Sequence, residues 1–96
     1  MLTLESIKQA VALVAEKYDV VKVDLFGSYA SGLATEKSDA DFLVEFNVKI
    51  PSIFKTMGFR EELRIALNHQ VDVVTLPLER LDKLSIDKVI PIYERT

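Results

Sequence analysis

The sequence predicts an α+β fold in which a small mixed β-sheet is flanked by helices. Apolar residues recur every three or four positions at the start of the chain, then alternate with polar residues in β-branched runs, and later return to helical spacing. The predicted order is helix–strand–strand–helix–strand–helix, which favours helices packed on a mixed sheet. Because 96 residues can build only one hydrophobic core, we expect residues 1–96 to form a single domain.

A helix, a strand and a tight turn are predicted first. Thr3 is a suitable N-cap, and an apolar stripe follows at helical spacing, formed by Leu4, Ile7, Val11, Val14 and Tyr18. Over Val20–Phe26 the period changes to two, which predicts a strand. Gly27 ends this strand, and we expect one short helical turn over residues 28–32 before a polar loop over residues 33–38.

The second half of the chain contains two further strands and two further helices in this prediction. Ala40–Phe46 alternates as a strand, and residues 51–68 have the spacing of an amphipathic helix. Val71–Thr75 is a short strand rich in valine, and Leu84–Tyr93 is predicted to be the last helix.

Composition excludes several classes of protein. Hydrophobic residues make up 49% of the chain and charged residues 28%, which is typical of a globular protein. Cysteine is absent, so disulfide scaffolds, thiolate metal sites and cysteine nucleophiles are excluded. A net charge of −3 argues against direct nucleic-acid binding, which depends on basic residues. No apolar run is long enough for a membrane span and no signal-peptide pattern is present, so we expect a cytoplasmic protein without a membrane partner.

Two carboxylates stand at the start of the second strand. Asp39 and Asp41 are two positions apart, and alternate residues of a strand point to the same side, so their Cα atoms would be roughly 6.5 to 7 Å apart. Such a pair can bridge or flank two magnesium ions, which lie about 3.5 to 4 Å apart in phosphoryl-transfer sites. The alternative interpretation is that Asp39 caps the strand and Asp41 lies on a solvated face.

A third carboxylate stands inside the third strand. Asp72 interrupts a valine-rich run, where an unpaired charge is disfavoured. If this strand lies beside the strand of Asp39 and Asp41, its carboxylate completes a three-carboxylate metal cluster. The alternative is an edge strand whose polar side faces water.

The turn after the first strand supplies the other half of the candidate site. A glycine at position 27 allows backbone to approach a ligand, and the next residues offer N–H groups and the Ser28 hydroxyl to an anion. The alternative is an ordinary turn in which Ser28 is only an N-cap. Tyr29 suits either stacking on a base or packing under the turn, and for His69 we predict a solvent-facing or capping role.

The segment FGSYASGLATEKSDADFLVEF resembles the signature of the DNA polymerase β-type nucleotidyltransferase superfamily, in which Gly-Ser precedes Asp-x-Asp by ten residues. The short length and the later VDVVT segment make the chain most similar to the minimal nucleotidyltransferase (MNT) group. Members of that group are commonly paired, as antitoxins, with HEPN-domain toxins. The resemblance implies a nucleotidyltransferase fold like the polymerase β palm.

The resemblance also implies roles for individual residues. Gly27 and Ser28 would hold the β- and γ-phosphates of a nucleoside triphosphate. Asp39 and Asp41 would bind two Mg²⁺ ions, and Asp72 would bind one of them and help to activate the incoming hydroxyl. Group members transfer AMP from ATP to a tyrosine hydroxyl of the cognate toxin, which silences it.

One departure from the group pattern concerns the turn. The group often has Gly-Ser-x-Ala-Arg-Gly there, whereas this chain has Ser31 in the arginine position and Leu33 where an acidic residue is common. An arginine beside a triphosphate makes a strong charge-assisted contact. Lys37, Lys55 and Arg60 are the candidates to replace it.

Our leading hypothesis is a magnesium-dependent adenylyltransferase that modifies a partner protein and acts as a type VII-like antitoxin. The alternative is a binding module that neutralises its toxin by occlusion, with a vestigial pocket. A small-molecule nucleotidyltransferase of the aminoglycoside-modifying kind is disfavoured because the chain lacks room for a second domain. The expected partners are ATP or another nucleoside triphosphate and the cognate toxin. We expect either a homo-oligomer or a hetero-complex with the toxin.

Overall fold

The computed structural model of the protein describes residues 2–48, 50–75 and 88–95. Three helices and four strands lie in this part of the chain. In order they are α1 (Leu4–Lys17), β1 (Val20–Phe26), α2 (Ser28–Ser31), β2 (Ala40–Phe46), α3 (Ile53–Leu67), β3 (Val71–Val74) and β4 (Ile90–Glu94). The α+β class with a mixed sheet is therefore confirmed.

The four described strands form one sheet in the order β3-β2-β1-β4. β1 pairs antiparallel with both β2 and β4, whereas β2 and β3 are parallel. The parallel pair is connected through α3, because a chain that must return to start a parallel strand needs a crossover. This arrangement brings the end of β1 and the starts of β2 and β3 to the same end of the sheet.

The prediction of a last helix over Leu84–Tyr93 is wrong where the structure describes it. Ile90–Glu94 is strand β4, and residues 84–87 lie outside the described residues. Ile92 is buried in the core, and Pro91 lies at a register shift opposite Asp24. A proline lacks the N–H group that a central strand needs, and it is tolerated because β4 is the outermost described strand on its side.

The helices α1 and α3 pack on one face of the sheet, where the main core lies. α1 begins with the predicted cap, since the Thr3 side chain accepts a hydrogen bond from the Ser6 backbone N–H and Ser6 reciprocates. Phe59 of α3 is fully buried and meets the rings of Tyr18 and Phe46 edge-on, at centroid distances of 6.1 and 6.0 Å. Aromatic pairs prefer this geometry.

Strand β2 separates the core from the candidate site by simple alternation. Its inward side chains belong to the core cluster, and they are Ala40, Phe42, Val44 and Phe46. Asp41 and Glu45 point to the opposite face, as the pattern predicted. Leu4, which belongs to the predicted stripe of the first helix, does not join the core because it is exposed. None of the helices described here has the length and apolar character to cross a bilayer.

We expect Phe59→Ala to lower the free energy of unfolding by about 3–5 kcal/mol, because it leaves a cavity between three elements of the core. The matched control is Phe54→Ala in the same helix, whose side chain is 84% exposed. That change should alter stability by no more than about 0.5 kcal/mol. Urea unfolding of both variants measures the difference, and equal losses would contradict this account of the core.

Candidate functional site

The site lies where three strand ends meet. In the antiparallel pair, Phe26 at the end of β1 is opposite Asp41 at the start of β2. In the parallel pair, Asp41 is opposite Asp72. Neighbouring strands are about 4.8 Å apart, so these registers bring Gly27, Asp41 and Asp72 to one corner of the sheet. Asp39 precedes the first residue of β2 and completes the group.

Asp41 is the central carboxylate of this corner. Its side chain is half-buried, and its pKa lies above the ordinary value. Partial burial is the largest cause, followed by the negative charge of Asp72 and then that of Asp39. Both neighbours act on Asp41 through space, so the three carboxylates share one electrostatic environment. A bound cation would offset this repulsion.

The two other carboxylates are accessible. Asp39 and Asp72 are both exposed, and β3 is the outermost described strand on its side of the sheet. The alternative of an edge strand with a wet polar side is therefore correct about exposure, yet the register still sets Asp72 against Asp41. Exposure leaves their oxygens free to approach a ligand from solvent.

Glycine is required at position 27 both by the backbone conformation there and by the side chain beside it. Its φ of 75° and ψ of −151° fall in a region that essentially only glycine adopts. A Cβ at this position would overlap the carboxylate of Asp41. The backbone of the turn can consequently lie directly against Asp41, with the half-buried Ser28 as the first residue of α2.

The donor set of the corner is suited to a hard divalent cation. All three side chains offer carboxylate oxygens, which Mg²⁺ prefers, and Mg²⁺ usually keeps waters and substrate phosphates as further ligands. Within residues 2–48, 50–75 and 88–95, no three acidic or histidine side chains converge closely enough to ligate one ion. The fit rests on the oxygen donors, on the raised pKa of Asp41 and on the space that Gly27 leaves beside its carboxylate.

For His69 the prediction was a solvent-facing or capping role, and the first of these two does not hold. It is half-buried, and its Nε2 atom lies 2.7 Å from the backbone carbonyl oxygen of Ser38, next to Asp39. Tyr29 packs against the core and meets the His69 ring edge-on, so packing under the turn is the correct alternative for that residue. The only sign of this contact in the sequence was the position of a single histidine three residues before Asp72.

The structure separates two of the candidates to replace the turn arginine, Lys55 and Arg60, by their distance from the carboxylates. Ser31 is exposed, and its hydroxyl donates to the Ser28 carbonyl oxygen at 3.3 Å. Lys55 lies in the first turn of α3 and acts on Asp19 before β1, at the opposite end of the sheet from Asp41, so it is excluded. Arg60 donates through Nε to the carbonyl oxygen of Val71 at 3.4 Å, one residue before the third carboxylate.

Comparisons of sequence give matches to one family of domains. Residues 7–92 match the family of nucleotidyltransferase domains. The protein adenylyltransferase MntA of Thermococcus cleftensis is 40% identical over 78 residues, which span 77% of this chain and 78% of that protein.

Comparisons of structure identify the same fold. A protein provisionally named a minimal nucleotidyltransferase has a TM-score of 0.73 and 28% identity, and the match covers 94% of this chain and 96% of that one. A toxin–antitoxin complex with AMP-PNP also gives 0.73, at 18% identity and with 93% and 74% covered. A tri-AMPylated HEPN toxin with its MNT antitoxin, from Shewanella oneidensis, gives 0.69 at 16% identity, with 97% and 74% covered. At such identities the last two matches show the fold alone.

We expect Gly27→Ala to destabilise the protein by about 1–3 kcal/mol through backbone strain, and to push the Asp41 carboxylate out of place. Gly32→Ala is the matched control, because Gly32 has a φ of 80° but nothing within 4 Å of an added Cβ. Both variants should lose stability in urea unfolding. Only Gly27→Ala should also weaken Mn²⁺ binding in a paramagnetic relaxation titration, and equal Mn²⁺ affinities would contradict the proposed contact.

We expect Asp41→Asn to be more stable than the wild type near neutral pH. The pKa of Asp41 is higher in the folded than in the unfolded chain, so its stabilising contribution is complete below the unfolded pKa, about 3.9. That contribution is lost as the pH rises through the raised pKa, because the ionised carboxylate is less favourable in the folded chain than in the unfolded chain. Asparagine cannot ionise and removes this penalty.

Thermal unfolding between about pH 3 and pH 7 measures the effect, and the advantage of Asp41→Asn should shrink towards the acid end. Glu45→Gln is the control for the loss of one negative charge from the same face of β2. An advantage of Asp41→Asn that is constant with pH, or equal to that of Glu45→Gln, would show that the carboxylate corner is not its source.

Proposed function

The chain belongs to the nucleotidyltransferase family, and from that premise we propose that it transfers AMP from ATP to a hydroxyl group of a partner protein, in a reaction that depends on Mg²⁺. The acceptor in this proposal is a tyrosine of a cognate HEPN toxin, so the protein acts as an antitoxin. The reaction takes place in the cytoplasm, and residues 1–96 act as a single domain.

One observation carries the proposal. Asp41 lies beside two other carboxylates, opposite Asp72 in the strand register, and its pKa is raised first by its partial burial and then by the charges of Asp72 and Asp39. An arrangement that opposes its own ionisation is costly for folding, and such groups cluster at functional sites. The chemistry that best uses three adjacent carboxylates beside a glycine turn is nucleotide transfer with divalent metal.

The chain's own residues have distinct tasks in this reaction. The backbone N–H groups after Gly27 and the Ser28 hydroxyl bind phosphate oxygens of the triphosphate, since Gly27 allows a ligand to approach without a Cβ. Asp39 and Asp41 are the oxygen ligands that would hold two Mg²⁺ ions, with Asp72 as a third. Bound Mg²⁺ would offset the negative charge on the attacking and leaving oxygens.

The bond changes follow from the alignment of the acceptor with the triphosphate. The acceptor oxygen attacks the α-phosphorus, the bond to the bridging oxygen of the β-phosphate breaks, and pyrophosphate leaves. The proton of the acceptor hydroxyl passes to Asp72, which is exposed on an outer strand and open to an approaching partner. In-line geometry supplies much of the rate, because positioning replaces a collision between separate reactants.

The choice of acceptor rests on the relatives. MntA of Thermococcus cleftensis is named a protein adenylyltransferase, and the Shewanella oneidensis complex joins an MNT antitoxin to a tri-AMPylated HEPN toxin. Asp72 can meet a large acceptor because it lies on the outer strand, whereas a deep pocket would admit only a small molecule. These points favour a protein substrate and a hetero-complex with the toxin.

The runner-up is neutralisation of the toxin by occlusion. The segment between β2 and the second turn of α3 exposes an apolar row, formed by Val48, Ile50, Ile53, Phe54 and Met57. Such a surface can bind a protein without any chemistry. It lies at the opposite end of β2 from Asp41, so occlusion there would be independent of the carboxylate corner.

The double variant Asp39→Ala plus Asp41→Ala separates the two functions. Incubation with Mg²⁺, labelled ATP and the cognate HEPN toxin of this proposal should label the toxin with the wild type only. We expect the variant to lose more than about 100-fold in rate, because even changes around metal ligands cost 10- to 100-fold. Glu45→Gln, on the same strand face, should retain activity.

Toxin rescue in cells gives the second readout. Catalysis predicts that the double variant no longer protects cells from the toxin, whereas occlusion predicts full protection without transfer of label. Absence of label on the toxin with the wild-type protein, despite ATP and Mg²⁺, would overturn the proposed reaction.

A further inference from the structure

We infer that His69 is a positioning residue that fixes Asp39 relative to the strand bearing Asp72. The inference rests on the proposed function, because it gives His69 a task in the same site. Nothing in the Gly-Ser and Asp-x-Asp pattern includes this residue. It acts through the backbone next to Asp39 and touches neither substrate nor metal.

The hydrogen bond of His69 has a defined direction. Its Nε2 atom lies 2.7 Å from the backbone carbonyl oxygen of Ser38, which can only accept. The ring must therefore carry its proton on Nε2 and donate it to this carbonyl. The ring is half-buried, which shields the bond from competing water.

This bond is one of two that bracket Asp39. On the other side, the Ala40 backbone N–H donates to the carbonyl oxygen of Gln70 at 3.1 Å. Consecutive residues of the segment before β3 thus hold the residues before and after Asp39. The β2–β3 ladder begins with the pair Ala40 and Val71, so the His69 bond extends this pairing beyond the sheet. Without it, the backbone on the loop side of Asp39 would lose its tie to β3.

The loop before Asp39 is a compact unit that needs such an anchor. Ser38 N–H donates to the Thr35 carbonyl oxygen at 3.0 Å, and Thr35 N–H donates to the Ser38 hydroxyl at 2.9 Å. Lys37 N–H donates to the Thr35 hydroxyl at 3.3 Å. These bonds lie within the loop and stiffen it as a unit. The contact from His69 to Ser38 is what orients that unit against the sheet.

The same imidazole also contacts the turn that holds Ser28. Tyr29 meets the His69 ring edge-on, with centroids 5.8 Å apart and planes at 89°, and its hydroxyl lies 3.5 Å from Nε2. Tyr29 is the neighbour of Ser28 and packs against the core. His69 therefore connects three parts of the candidate site: the turn that contains Gly27 and Ser28, the loop before Asp39 and the start of β3.

The expected effect on metal binding follows from the need of a metal site for residues that orient its ligands. Residues that orient ligands typically contribute 10- to 100-fold to metal affinity or activity. Asp39 is exposed, so its position depends on its backbone more than on packing of its side chain. Loss of the His69 bond should weaken metal binding and turnover while leaving the acceptor surface intact.

Three variants test the inference. His69→Phe keeps a ring but removes the donor, His69→Gln returns an N–H near the position of Nε2, and Gln70→Ala alters only an exposed neighbouring side chain. We expect His69→Phe to raise the Mg²⁺ concentration for half-maximal transfer about tenfold and to lower kcat, with KM for the acceptor protein unchanged. His69→Gln should recover most of both losses, and Gln70→Ala should behave as the wild type.

Three further readouts do not depend on turnover. Nitrogen NMR of the wild type should show a proton on Nε2 of His69, and His69→Phe should shift the Ser38 carbonyl carbon resonance more than Gln70→Ala does. Mn²⁺ titration should show weaker binding by His69→Phe. If the wild type transfers no label, the proposed function fails while these readouts still test His69.

The inference is overturned by any of three results. The first is a ring protonated on Nδ1 alone, which would leave no donor for the Ser38 carbonyl. The second is a folded His69→Phe variant with wild-type Mn²⁺ affinity, and the third is a His69→Phe variant whose losses are not recovered by His69→Gln. Either of the last two would assign His69 to packing with Tyr29 alone.

Discussion

The site depends on the register between β2 and β3. Asp41 and Asp72 come together because these strands pair in parallel with those two residues opposite each other. The register is held by the other side of β2, where Phe42 and Val44 are buried in the core. A slip of one residue would send the apolar side chains to the wrong face, so hydrophobic burial enforces the placement of the carboxylates. Burial of the apolar side chains on the other face favours folding and opposes the repulsion among the carboxylates.

Apolar and polar side chains are separated between the two faces of the sheet, which allows a small domain to have both a core and a polar site. The core is built from α1, α3 and the inward residues of the sheet, with Phe59 at its centre. The carboxylates lie outside that core, on strand ends and beside a glycine turn. Partial burial and then the charges of Asp72 and Asp39 raise the pKa of Asp41, and a bound cation would offset this effect. Stability and chemistry therefore draw on different residues of the same strands.

Much of the fold follows from local pattern, and the failures have a common cause. The bounds predicted for β1 and β2 match the structure, and so does the N-cap of α1, because alternation and capping are local properties. The segment around Ile92 was assigned to a helix, since an apolar run with a proline contains no periodicity that separates helix from strand. It becomes β4 by pairing with β1. The contact of His69 with Ser38 was likewise not predicted, because the two residues are 31 positions apart in sequence.

The amino-acid sequence alone showed three carboxylates, a glycine turn and two alternating strands whose apolar faces define a core. Their order along the chain sufficed to predict the family and the chemistry. Tertiary structure alone decided that β3 runs parallel to β2 with Asp72 opposite Asp41, that the last described strand lies beside β1, and that an imidazole supports the backbone at Ser38. The reason is that periodicity records which face a residue prefers, whereas contacts between distant segments depend on how those faces are paired in space.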